Sequence, residues 1–140
     1  MSDKTYAKPI PSPSPETRFF WEKAHAHELW LPYCRPCARS YWYPRDFCPR
    51  CGSLDVESRR SAGRGRVYTF AIHHRAFHPG WADEVPYITA LVELEEGVRI
   101  FSNLIGIDPD PAKVKCDMPV EAVFEDISDE ITLIKFRPTA

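Results

Sequence analysis

The sequence has 140 residues, of which 44% are hydrophobic and 13% aromatic, with a formal net charge of −2. This length accommodates one domain or two small modules, and the composition is that of an ordinary soluble protein. No stretch approaches the roughly 20 apolar residues of a membrane-spanning helix, so none is predicted.

The segment before the first cysteine, residues 1–33, combines a proline-rich stretch with the sequence pattern of a helix start. Residues 1–13 contain three prolines separated by single residues, which favours a solvated, flexible tail and excludes a regular helix. Ser14-Pro15-Glu16 then has a serine N-cap, a proline at the first helical position and an acid near the positive end of the helix dipole. We predict a helix to about His27, followed by a strand, within segment 14–33.

Four cysteines form two C-x-x-C pairs, Cys34/Cys37 and Cys48/Cys51, separated by ten residues. Two such knuckles supply the four thiolates of a structural zinc ribbon. We see no apolar signal segment at the N-terminus, so we expect the chain in the cytoplasm, where free thiolates persist mainly as metal ligands. One structural Zn²⁺ per chain is predicted, with a rubredoxin-like iron centre as the alternative.

The ribbon is predicted over residues 34–60, with strands at 28–33 and 40–44 on either side of the first knuckle. Eight arginines and three acidic residues lie between positions 34 and 66. Guanidinium groups suit phosphate recognition in a nucleic acid or a phosphorylated cofactor. The alternative is a solvated surface on which arginine stems cover apolar area.

Residues 61–140 have the pattern of a small β-barrel. Strands are predicted at 67–72, 87–94, 99–105, 120–125 and 131–136, with a tight turn at 95–97. Long connections follow the first and third strands, which fits a five-stranded OB-fold barrel. An SH3-like barrel remains the alternative.

No catalytic site is predicted. Four thiolates close the metal shell and leave no position for water. Cys116 lacks a neighbour in sequence that would act as a base. His73 and His74 occupy adjacent strand positions and therefore point to opposite faces, which argues against joint action.

At this point the chain resembles a known family. The motifs that carry the resemblance are Cys-Pro-x-Cys-Gly at 48–52, Gly-x-Gly-x-Val-Tyr-Thr-Phe at 63–70, Pro-Tyr-Ile-Thr-Ala-Leu-Val-Glu-Leu at 86–94, Met-Pro-Val-Glu at 118–121 and Phe-Arg-Pro at 136–138. Across residues 14–138 they resemble the acyl-CoA-associated family with an N-terminal rubredoxin-like zinc ribbon and a C-terminal OB fold, long described as domain of unknown function thirty-five. One departure is Cys116-Asp117, where that family more often has a glycine.

The resemblance implies an accessory role and not a catalytic one. Members of this family are partners of thiolase-, aldolase- or hydratase-type enzymes that act on coenzyme A thioesters. The implied protein is a zinc-containing subunit of a hetero-oligomer, which completes or stabilises the partner's acyl-CoA site and shares the thioester with it. The four cysteines carry over to this sequence as metal ligands.

Two groups of residues are candidate contacts for such a partner or for coenzyme A. Arg59, Arg60 and Arg64 are candidates for holding the phosphates of coenzyme A. Phe77 and Trp81 lie in a loop flanked by turn-forming residues and are candidates for a partner or acyl-chain contact. The alternative for both rings is that they cap the open end of the barrel.

A second function class is a module that binds single-stranded nucleic acid, because ribbons and OB barrels both bind strands by stacking bases on aromatic rings. The arginines of the ribbon favour it. Thirteen acidic residues from position 83 to position 130 argue against it, since they would repel phosphates. An electron carrier with iron in the ribbon is a third alternative.

Overall fold

The computed structural model describes residues 6–139. The first five residues of the predicted proline-rich tail lie outside this range, and residues 6–13 contain neither helix nor strand. Lys8 nevertheless has a defined position, with Nζ 2.6 Å from a carboxylate oxygen of Glu84 and 4.1 Å from the centre of the Trp81 ring. This part of the tail therefore lies against the loop that precedes the second barrel strand.

The helix α1 spans Arg18–His25 and is shorter than predicted. Its N-cap is Thr17, which makes no side-chain cap bond, so the predicted N-cap at Ser14 is wrong; Ser14 instead bonds to Thr17 in the turn before the helix. The Ser14 amide donates to Thr17 Oγ1 at 2.9 Å, and the Thr17 amide donates to Ser14 Oγ at 3.3 Å. These reciprocal bonds satisfy amides that have no partner within a helix.

The ribbon is a three-stranded antiparallel sheet of β1 (Trp30–Cys34), β2 (Arg39–Ser40) and β3 (Val56–Arg60), in the order β2-β1-β3. The predicted strand at 40–44 is wrong, because β2 ends at Ser40. The Tyr41 side chain is buried there and its hydroxyl donates to the Arg45 carbonyl at 2.5 Å, which turns the chain out of the sheet. The main partner of β1 is β3.

Five strands close the barrel: β4 (Arg64–His73), β5 (Tyr87–Leu94), β6 (Arg99–Leu104), β7 (Pro119–Asp126) and β8 (Thr132–Pro138). Their order is β4-β5-β6-β8-β7, with β7 pairing back to β4 and with β6 and β8 parallel. This five-stranded Greek-key closure is the OB fold predicted from the sequence. No helix among residues 6–139 has the length and apolarity needed to cross a membrane.

Gly65 allows β4 to join the barrel on both edges. Its backbone pairs with Leu94 on one side and Val120 on the other. A Cβ atom at this position would lie 2.3 Å from the Glu93 carbonyl oxygen, so only glycine permits the approach.

Ribbon and barrel share one core. Leu29, just before β1, and Leu31, within β1, belong to the same buried cluster as Val67 and Phe136 of the barrel. The end of α1 is also tied to the barrel, because His25 Nδ1 lies 3.3 Å from the hydroxyl of Thr132. The two modules are therefore packed together and not merely linked by a flexible joint.

Candidate functional site

The four predicted ligand cysteines lie together at the ribbon knuckles. Their Sγ atoms are all within 4.8 Å of one another, with Cys34 and Cys51 at 3.6 Å and Cys37 and Cys48 at 3.9 Å. A tetrahedral Zn²⁺ with Zn–S bonds of about 2.3 Å requires S–S separations of about 3.8 Å. The donor set and its spacing therefore fit zinc.

Backbone amides support the thiolates. The Cys37 amide donates to Cys34 Sγ at 3.5 Å, and the Arg50 amide donates to Cys48 Sγ at 3.4 Å. The knuckles turn back through Ala38 and Gly52, whose φ angles are +52° and +74°. Such N–H to sulfur bonds orient metal ligands and stabilise their negative charge.

Two of the four thiols, those of Cys34 and Cys48, have pKa values shifted in opposite directions. Burial raises the pKa of Cys34 to about 12. Burial also works to raise the pKa of Cys48, but hydrogen bonds from the Cys51 and Arg50 amides bring it down to about 6. A divalent cation would compensate the charge of all four thiolates, and its binding would release the remaining protons.

An aromatic groove of about 520 Å³ lies where α1, the ribbon and the barrel meet. Its aromatic lining residues are Phe20, Trp21, Trp42, Tyr43, Trp81, Tyr87 and Phe101. Phe20 packs edge-on against Trp42 with ring centres 5.4 Å apart, and Trp42 Nε1 is buried without a hydrogen-bond partner in the described part of the chain. A concave site of this size and lining suits an apolar group.

The two aromatic residues predicted as contacts have different environments. Trp81 ends a short 3-10 helix, Pro79–Trp81, and lines the aromatic groove with its ring 4.4 Å from that of Tyr87. Phe77 is 80% exposed and does not line the groove. The structure therefore brings Trp81, and not Phe77, to the groove.

The three predicted arginines do not converge. Arg59 lies 3.5 Å from the centre of the Tyr33 ring and pairs with Glu57, whereas Arg60 pairs with Glu28 at 3.4 Å. Arg60 and Arg64 line one cleft of about 400 Å³, and Arg59 does not line it. Adjacent strand positions point to opposite faces, which separates Arg59 from Arg60.

The histidines of the first barrel strand and its loop make separate structural contacts. His73 stacks on Tyr87 and lies 2.8 Å from the Thr89 hydroxyl. His78 Nδ1 accepts a hydrogen bond from the Gly80 amide at 2.9 Å. The first contact joins the neighbouring strands β4 and β5, and the second lies within the loop.

The Cys116-Asp117 departure lies at a tight turn. Asp117 has a φ of +67°, a conformation that glycine adopts without steric cost, and its amide donates to the Val67 carbonyl at 2.7 Å. Cys116 is exposed and lies outside the metal cluster. The turn thus keeps a conformation that favours glycine although aspartate occupies it.

Sequence reasoning missed two parts of the groove. Trp42 and Tyr43 lie in the segment that was predicted as a strand, and Phe101 lies in a strand that pairs inside the barrel sheet. Phe101 is 62% exposed, between the buried Ile100 and the half-buried Ser102. A large aromatic residue at an outward position was the available signal.

The ribbon and the barrel each match a known family of protein domains. Residues 21–57 match the family described as ChsH2, rubredoxin-like zinc ribbon domain, and residues 58–125 match ChsH2, C-terminal OB-fold domain. The chain belongs to the ChsH2 family. This confirms the resemblance found in the sequence, since proteins with DUF35 in their names are among the relatives of this ChsH2-family chain.

Three similar proteins show the range of the family. A chain of the solved "Ltp2-ChsH2(DUF35) aldolase" is 38% identical with a TM-score of 0.80, and the match covers 92% of this chain and 98% of that one. A "DUF35 domain-containing scaffold protein" of Methanocaldococcus jannaschii is 36% identical over 69% of this chain and 67% of its own. A "Probable enoyl-CoA hydratase alpha subunit" of Thermomonospora curvata is 38% identical over 94% of this chain. The chain spans 40% of that hydratase subunit's length.

Proposed function

We propose that this ChsH2-family chain is a non-catalytic, zinc-containing subunit of an acyl-CoA-processing enzyme of the aldolase, hydratase or thiolase type. The observation that carries the proposal is the match to nearly the whole of a chain in the Ltp2-ChsH2(DUF35) aldolase. The hydratase subunit of Thermomonospora curvata supports the same class of partner. The name of the Methanocaldococcus protein, a scaffold, supports the accessory role.

The metal centre is structural in this proposal. Cys34, Cys37, Cys48 and Cys51 would hold one Zn²⁺, whose bonds hold the two knuckles together. Four protein thiolates leave no open coordination position, so the centre would neither activate water nor polarise a substrate. We place the protein in the cytoplasm, where a reducing environment keeps such thiolates available.

The aromatic groove is the proposed contribution to the partner's acyl-CoA site. It opens between three elements of the chain, and its aromatic walls provide apolar area that a partner or an acyl chain would cover. Trp81 is the groove residue that we propose as a contact, and the exposed Phe77 is a contact to the partner itself. Arg60 and Arg64 are the proposed contacts to coenzyme A phosphates because they line the same cleft, which Arg59 does not line.

The experiment is purification of the tagged chain from its native host, followed by identification of co-purifying proteins and assay of acyl-CoA turnover. We expect an aldolase-, hydratase- or thiolase-type enzyme whose activity falls when this chain is removed and returns when it is added back. An enzyme of full activity without the chain would contradict the proposal. An eluate that contains nucleic acid, with binding that weakens steeply as salt rises, would favour the nucleic-acid function instead.

A further inference from the structure

The second metal knuckle is flanked by two exposed apolar side chains. The Cys48 amide donates to the Ser53 carbonyl at 3.0 Å, and the Gly52 amide donates to the Cys48 carbonyl at 2.8 Å. Phe47 and Leu54 directly flank this tight turn, and they are 42% and 79% exposed. Exposed apolar pairs on a rigid turn are typical of interaction surfaces.

Three arginines accompany this apolar pair. Arg39, Arg45 and Arg50 are exposed, and none of them forms an ion pair with a carboxylate of the described residues. Arg50 donates to the Ser40 carbonyl at 3.0 Å, which holds it beside β2 and next to Arg39. Elsewhere in the ribbon, by contrast, Arg35 is already paired with Asp55 and Glu57.

The segment has little acid of its own to balance these charges. Asp46 is the single acidic residue between positions 36 and 54, so this stretch has an excess of positive charge. We refer to Arg39, Arg45, Phe47, Arg50 and Leu54 together as the ribbon tip. Its exposed apolar side chains, together with cations that form no ion pair among the described residues, are complementary to a protein surface with apolar area and carboxylates.

We infer that the ribbon tip docks onto an acidic protein surface of the partner enzyme. The inference rests on the proposed function and names the face through which the chain binds that enzyme. A protein is favoured over a nucleic acid because Leu54, the more exposed of the two apolar residues, has no aromatic face on which a base would stack, and Phe47 is then the single ring of the ribbon tip. The acidic residues of the barrel would also repel a phosphate backbone.

The proposal has a kinetic consequence. Arginines at the rim of an interface act mainly on the association rate, and their effect is screened by salt. The apolar contacts of Leu54 and Phe47 would act mainly on the dissociation rate. Charge reversal and apolar truncation at the ribbon tip are therefore expected to weaken binding in different ways.

The test measures binding of the partner enzyme that co-purifies with the native chain, at low and at physiological salt. The variant R39E/R45E/R50E is compared with R18E/R66E/K115E, which changes the net charge equally. Arg18, Arg66 and Lys115 are exposed, lie outside the ribbon and form no ion pair in the described part of the chain. Zinc content and thermal unfolding confirm that each variant is folded.

We expect the ribbon-tip variant to bind at least tenfold more weakly, mostly through slower association, and the matched control to bind as the native chain does. Leu54→Ser is expected to weaken binding several-fold through faster dissociation. Equal affinity of the native chain and the ribbon-tip variant would overturn the inference while the proposed function stands. An equal loss in both charge variants would also overturn it, because net charge alone would then act. If the native chain captures no enzyme, the proposed function fails and the inference fails with it.

Discussion

The Sγ atoms of Cys34 and Cys51 lie 3.6 Å apart although 17 positions separate them in the sequence. Cys34 ends β1 and is buried, whereas Cys51 is exposed at the tip of the second knuckle. Two uncharged thiols gain little from this proximity, and two thiolates would repel each other. The arrangement is stable when a cation lies between them. We therefore expect the chain to contain a metal ion.

We expect about one zinc per chain and a colourless protein. Because metal binding supplies roughly 10 kcal/mol or more to the folding of structural zinc sites, a strong chelator should unfold the ribbon. Elemental analysis and near-ultraviolet circular dichroism measure the two effects. Cys48→Ser should lose the metal, and Cys116→Ser should retain it. A red, iron-containing protein, or one that keeps its spectrum without metal, would contradict this prediction.

Thr132 links α1 to the barrel. Its buried hydroxyl donates to Asp126 at 2.5 Å and lies 3.3 Å from His25 Nδ1. Thr132→Val keeps the shape but removes these bonds, and we expect a loss of about 1–2 kcal/mol in the free energy of unfolding. Denaturant titration measures it. Thr69→Val, at an exposed barrel position, is the control, and an equal effect of both substitutions would contradict the role of Thr132.

The carboxyl group of Asp126 makes the free energy of unfolding depend on pH. Hydrogen bonds from Thr132, and then from His27, hold the pKa of this carboxyl below its usual range. The stabilisation is therefore fully present above the unfolded pKa of about 4 and is lost as the pH falls through the lower folded pKa.

Denaturant unfolding from pH 7 to pH 2 tests this dependence. Asp126→Asn should be less stable than the native chain at pH 7, and the difference should shrink as the pH falls below about 4. Asp129→Asn, at an exposed position outside the described hydrogen bonds, should run parallel to the native chain. A stability difference for Asp126→Asn that stays constant over the whole range would contradict the prediction.

Trp81 has both a packing role and a proposed contact role. Trp81→Ala removes the contact with Tyr87 and the stacking of Lys8, and we expect a loss of about 2 kcal/mol because the ring is only partly buried. Partner affinity should also fall. Phe77→Ala is the control for stability, since its ring is 80% exposed. Lost thermal stability with unchanged partner affinity would show that Trp81 only caps the barrel.

Coenzyme A binding tests the arginines of the cleft. Neutralising Arg60 and Arg64 together should weaken coenzyme A affinity of the assembled complex by about tenfold, because each guanidinium makes a charge-assisted bond to phosphate. Arg59→Ala should have little effect, since Arg59 lies outside the cleft that Arg60 and Arg64 line and is stacked on Tyr33. Isothermal titration of the complex measures both. Unchanged affinity in the double variant would exclude this chain from phosphate binding.

Most of the barrel was predictable because its signals are local. The strand Tyr87–Leu94 is as predicted, since alternation of apolar side chains and a tight turn specify a hairpin from neighbouring residues. The ribbon was less predictable. The residues of β3 show no regular alternation of apolar side chains, and β3 became a strand because it pairs with β1 across more than 20 intervening residues.

The sequence by itself determined which four cysteines come together and where the barrel strands lie, because C-x-x-C spacing, strand periodicity and turn residues act over a few positions. The family followed from the resemblance of whole motifs. Only the tertiary structure decided which side chains meet. It joined Trp21, Trp42, Trp81 and Phe101 in one groove and separated Arg59 from Arg60 and Arg64. Such groupings depend on how α1, the ribbon and the barrel pack, and that packing is set by a shared core whose members lie far apart in the chain.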